Sequence, residues 1–275
     1  MNANASAPSA PLAPPPSSAR LRGEQLRVGY GPGNEILHGV DVEVLEGELT
    51  VIVGPNACGK STLLGALARM LKPTSGRATL DGRALGDFHP KALARQLGLL
   101  PQTPVAPEGI TVSDLVARGR YPHQSLLRQW SPADERAVAE ALEAANVSNL
   151  AERRIEELSG GQRQRVWIAM ALAQESSILL LDEPTSFLDI SHQIEVLDLA
   201  RRLQREGRTV VAVLHELNLA FRYATHLIVM RDGEIIDRGD PSKIVTPELI
   251  ERAYDLPCVI IEDPVSGTPL VIPRA

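Results

Sequence analysis

The chain has 275 residues, of which 44% are hydrophobic and 23% charged, and a formal net charge of −6. That balance suits a globular chain with one large core, and an acidic chain lacks the clustered positive surface that nucleic-acid binding needs. Its two cysteines, Cys58 and Cys258, form no CxxC pair, so neither a disulfide framework nor a zinc site is expected, and a reducing cytosol fits. No apolar run approaches the ~20 residues that span a bilayer.

Residues 1–19 are nearly all Ala, Pro, Ser and Asn. Lacking a basic and an apolar region, they do not read as a secretory signal, and Pro14-Pro15-Pro16 predicts an extended, disordered tail. Folding should begin near Arg20. Residues 25–30, 40–45 and 49–53 read as strands, the last (LTVIV) apolar throughout and hence buried on both faces. A Gly-rich loop and a helix from about Lys60 to Met70 follow, then a turn at Pro73-Thr74-Ser75-Gly76 and a strand at Ala78–Leu80. Short apolar strands recur at 97–100, 178–181, 209–214 and 226–230 between helical patterns, which predicts an α/β fold with a mainly parallel core sheet.

From about 103 to 165 strands disappear. Ser131-Pro132-Ala133-Asp134 is a helix start, with Val138, Ala141, Leu142 and Ala145 on one face, so a helical lobe is inserted into the core. The N-terminal strands predict an antiparallel edge region. Residues 246–275 predict a short helix from Thr246-Pro247-Glu248 and a hairpin-like tail over 258–273.

Gly54 to Ser61 reads GPNACGKS, a match to G-x-x-x-x-G-K-[ST] placed after a buried strand and before a helix. Glycines let backbone N–H groups turn inward around phosphates, and the helix start adds partial positive charge. Gly54, Pro55, Asn56, Ala57, Cys58 and Gly59 would form this cradle, with Lys60 on the β- and γ-phosphates, Thr62 beside it and Ser61 on Mg²⁺. Cys58 has two readings: a low-pKa thiol, or a small residue pointing away. Ile178–Leu181 ends in Asp182 and Glu183. Mg²⁺ favours carboxylate oxygen, which suits Asp182, while strand alternation would turn Glu183 towards the attacking water as general base.

Leu158-Ser159-Gly160-Gly161-Gln162 opens a further helix 23 residues before Asp182. Here the chain resembles the ATP-binding-cassette ATPases, P-loop NTPases whose signature is LSGGQ, and the likeness covers about residues 21–245. The resemblance implies that Ser159, Gly160, Gly161 and Gln162 face the γ-phosphate of ATP held by a second copy. It implies that Gln102 contacts Mg²⁺ and the lytic water, that His215 is the switch histidine, and that Tyr30 stacks on adenine. Ser186-Phe187-Leu188-Asp189 matches the loop crossing the dimer interface, although the family usually has a small residue at Phe187.

The short interval from Ser61 to Ser159, the single cassette and the lack of zinc modules resemble a transport subunit. The stretches 111–124, 158–175, 188–199, 213–236 and 259–273 are similar to ferric-siderophore importers, most of all the ferric-enterobactin systems. The implied partners are two transmembrane permease subunits and, indirectly, a periplasmic or lipoprotein siderophore-binding protein. The implied place is the cytoplasmic face of the inner membrane, as a peripheral subunit. Importers of haem, ferrichrome or vitamin B12, or a soluble non-transport cassette ATPase, are the alternatives. Arg118, Arg120 and Tyr121 are candidate contacts to the permeases.

Overall fold

The computed structural model describes residues 19–31, 33–125 and 130–274. The tail expected over 1–19 falls outside these residues up to position 18, and Ala19 already belongs to the first strand.

β1 (Ala19–Gly29), β2 (Glu35–Leu45), β3 (Leu49–Val53), α1 (Lys60–Leu67), β4 (Ser75–Leu80) and β5 (Arg83–Ala84) open the chain. β1 and β2 are eleven residues each, longer than expected. Their ladder runs over several register shifts that let alternating side chains such as Leu21, Leu26, Val40 and Val42 stay buried. With β4 and β5 they form an antiparallel sheet in the order β2-β1-β4-β5. α1 ends three residues before the predicted Met70. Arg69 is in the left-handed region (φ 60), and the N–H groups of Met70 and Leu71 both return to Gly65 O, which closes the helix.

Next come α2 (Pro90–Ala94), β6 (Leu97–Leu100), α3 (Val112–Ala117), α4 (Pro132–Ala144) and α5 (Gly160–Ala173). β7 (Ile178–Asp182), α6 (Ile190–Arg205), β8 (Thr209–Val213), α7 (Leu217–Tyr223), β9 (His226–Arg231) and β10 (Glu234–Gly239) complete a six-stranded sheet in the order β10-β9-β3-β8-β7-β6. Neighbours from β9 to β6 are parallel, and β10 is the antiparallel edge. β3 and β8 are buried at every residue, as apolar strands covered on both faces must be. α8 (Pro241–Ile244), α9 (Pro247–Tyr254), β11 (Cys258–Glu262) and β12 (Pro269–Pro273) end the chain, the last two as an antiparallel pair. Among the described residues no helix is long and apolar enough to cross a membrane.

The helices between β6 and β7 start as the sequence suggests: Ser131 accepts from Asp134 N at the head of α4. Arg120 corrects an expectation. It is 4% exposed, its Nε donates to Asp134 Oδ1 at 2.9 Å, and its Nη1 donates to Ala173 O (2.7 Å) and Glu175 Oε2 (2.5 Å). An arginine so enclosed fastens the segment after α3 to α4 and α5 and offers no surface to a partner. Tyr121, by contrast, is 62% exposed, with Lys91 Nζ 4.2 Å from its ring centre.

Candidate functional site

Parallel strands deliver their C-terminal ends to one edge of the sheet, where a ligand can meet several of them at once. β3 delivers the phosphate loop there. Gly54 has no room for a side chain: a Cβ would lie 2.3 Å from Met230 O and 2.6 Å from Cys58 Sγ. At Gly59 the backbone is left-handed (φ 102), a conformation open to glycine, and no side chain caps α1. The first N–H groups of that helix are therefore left for an anion.

Lys60 is 5% exposed, and its Nζ donates to Gly54 O and Pro55 O at 2.8 Å each. Those carbonyls satisfy a buried ammonium that points into the loop. Ser61 Oγ donates to Asp182 Oδ1 at 2.9 Å, so β7 brings its carboxylate to the hydroxyl opening α1. Burial pushes the Asp182 carboxyl above its ordinary value; the Ser61 bond opposes this and the neighbouring Glu183 charge adds to it. Two hard oxygen donors side by side, one a half-buried carboxylate, fit a Mg²⁺ ion.

Glu183 leaves β7 with φ 49, a left-handed backbone that costs a non-glycine residue about 1 kcal/mol or more. The divergence of the two acids thus comes from this turn and not from the strand alternation that the sequence suggested. Glu183 Oε2 accepts from Gln102 Nε2 (2.6 Å) and Ser186 Oγ (2.9 Å), and Oε1 lies 2.6 Å from His215 Nε2. Burial works against its charge, but the bonds from His215 and Ser186, the His215 charge and the Gln102 bond together hold it below its ordinary value. A carboxylate fixed by three side chains from the ends of β6, β7 and β8 is ionised and aimed, as a base for water must be.

Tyr30 lies on the turn from β1 to β2, 64% exposed, with its hydroxyl 3.4 Å from Thr62 Oγ1. It lines, with Gly54–Ala57, Gly59–Thr62, Gln102, Glu183 and His215, a cavity of about 990 Å³. Cys58 lies behind the loop, buried, and burial pushes its thiol up, which favours the small-residue reading over a reactive thiolate. Tyr254 of α9 also lines this cavity, and no sequence signal flagged that the C-terminal segment returns to the phosphate loop.

Ser159, Gly160, Gly161 and Gln162 are not in this cavity. Ser159 caps α5 and forms a capping box: its Oγ accepts from Gln162 N, and its N–H donates to Gln162 Oε1. Ser159 and Gly160 are exposed, and a side chain at Gly160 would meet nothing within 4 Å.

Residues 37–186 match the family model described as ABC transporter. The chain belongs to that family: it is an ATP-binding cassette, an ATPase coupled to transport. It is similar to the ferric enterobactin transport ATP-binding protein of Escherichia coli (strain K12), 55% identical over 258 residues that cover 94% of this chain and 95% of that protein. Among solved structures it resembles an inward-facing metal-chelate type ABC transporter (TM-score 0.80, 29% identity, 94% of this chain and 98% of that one). It also resembles a dimeric bacterial ABC transporter cassette (TM-score 0.71, 28% identity, 80% of this chain and 98% of that one).

Proposed function

We propose that this chain hydrolyses ATP to power import of a ferric siderophore, acting as a peripheral subunit at the cytoplasmic face of the inner membrane with two permease subunits. The observation that supports hydrolysis most is Glu183, held by Gln102, Ser186 and His215 at the mouth of the phosphate-loop cavity. The cargo reading rests on the 55% identity to a ferric enterobactin transport subunit.

In this reading Tyr30 stacks on adenine, and Gly54–Gly59 with Thr62 wrap the phosphates by backbone and hydroxyl groups. Lys60 gives up its carbonyl partners to reach the β- and γ-phosphates. Ser61, Asp182 and Gln102 would hold Mg²⁺, whose bound form neutralises charge on the phosphate oxygens. Glu183 takes a proton from the attacking water, Gln102 contacts that water, and His215 contacts the γ-phosphate. Ser159, Gly160, Gly161 and Gln162 serve the γ-phosphate of a second copy. Gly160, with its side-chain direction open, permits such an approach. The segment 103–165 moves as a lobe on closure and transmits it to the permeases, Arg118 and Tyr121 among its contacts. A binding protein delivers the siderophore from the other side.

Reconstitution with the permeases tests this. ATPase activity should rise with a binding protein carrying a ferric siderophore; stimulation by haem or vitamin B12 instead would reassign the cargo.

A further inference from the structure

We propose that His192 is a positioning residue that seats the signature loop against the loop carrying this chain's own hydrolytic machinery. The proposal rests on the two-copy reading above, since it concerns the surface that one copy offers the other.

Asp189 caps α6, and its Oδ1 accepts from His192 N (3.0 Å) and Ser191 Oγ (2.8 Å), with His192 Nδ1 2.6 Å away. These bonds hold the Asp189 carboxyl down to about 2, so the acceptor is ionised at any ordinary pH. The imidazole is therefore anchored at one edge. Its opposite edge lies under the first turn of α5. A Cβ added to Gly161 would stand 2.9 Å from His192 Cδ2, 3.0 Å from Cγ and 3.3 Å from Nε2. That obstacle is a ring tied by its own hydrogen bond, so it cannot swing aside as a loose side chain would. The two signature glycines thus differ: Gly160 faces open space, and Gly161 is seated on His192.

Further bonds extend the seat in both directions. Arg165 Nη1 donates to Glu195 Oε2 at 2.6 Å, tying α5 to α6 farther along the two helices. Gln193 Nε2 donates to Leu188 O (3.2 Å), and Ser186 reaches Glu183. A continuous set of contacts therefore runs from Glu183, which acts on this chain's ATP, through residues 186–189 to His192 and Gly161. Displacing the ring would tilt the Gly161 N–H away from the other copy's phosphate without touching the phosphate loop.

The test is a double-mutant cycle on the full chain assembled with its permeases, reading kcat and KM for ATP. Gly161→Ala should lower kcat about tenfold or more, and the same change in a His192→Ala background should cost about threefold or less, because the ring is gone. His192→Ala alone should lower kcat with an unchanged nucleotide Kd in the isolated chain. His192→Asn, which keeps a donor for Asp189, should recover part of the loss, and it serves as the background if His192→Ala does not fold. Equal losses from Gly161→Ala in both backgrounds would overturn the role of His192. A harmless Gly161→Ala in both would overturn the signature-surface reading, and this inference with it.

Discussion

The chain carries two glycine-bearing loops that each open a helix, the phosphate loop and the signature loop, and they are finished to different degrees. At the phosphate loop everything points inward. Lys60 is buried on two carbonyls, Ser61 is tied to Asp182, and Tyr30, Gln102, Glu183 and His215 close a cavity around the loop. At the signature loop the polar groups are spent on each other, Ser159 and Gln162 closing a capping box where Ser159 and Gly160 are exposed. In the two-copy reading proposed above, the first surface is complete within the chain and the second is half of a site. Such a half is useful only when a second chain brings ATP to it.

The contrast can be broken at either end. The largest effect belongs to the enclosed side: Glu183→Gln should lower turnover by about 10²–10⁴-fold, the range of a lost general base, with ATP affinity retained. Nucleotide titration beside steady-state hydrolysis checks both halves of that statement. On the open side, Ser159→Arg should block closure and lower turnover, by less than Glu183→Gln does, while the isolated chain still binds ATP; loss of binding as well would mean that the two surfaces are not separable. Arg120→Ala probes the scaffold beneath the signature helix. It leaves Asp134, 3% exposed, without its ion-pair partner and with only the Ser131 hydroxyl on its carboxylate, and urea unfolding should show a loss of about 3 kcal/mol.

The smallest effect is one of pH. Burial lowers His226 of β9 from its ordinary 6.5, so the folded chain keeps it neutral where the unfolded chain takes up a proton. Its contribution is whole above pH 6.5 and is lost as pH falls through the folded value. The melting temperature of the wild type should therefore drop faster on acidification than that of His226→Gln.

Legibility in the sequence follows the same divide. A phosphate loop is contiguous and works through its backbone, so GPNACGKS between an apolar strand and a helix was enough to place it. The parallel strands were equally plain, because β3, β7 and β8 are short apolar runs buried on both faces. What escaped depends on residues far apart in the chain. Arg120 reads as a surface cation until Asp134 and Glu175 fold around it. Likewise Gly161 reads as a phosphate glycine, and only the α5–α6 contact reveals the ring beneath it. Glu183 was placed by its strand, but its aim comes from a left-handed turn that no side-chain pattern encodes.

The central claim is that each nucleotide site is shared between two chains. The most direct test is the solution mass of Glu183→Gln with ATP and Mg²⁺, measured by light scattering. A shared site predicts twice the chain mass with ATP, and a return to the single-chain mass when Ser159→Arg is added. A Glu183→Gln chain that binds ATP and stays at its single-chain mass would contradict it.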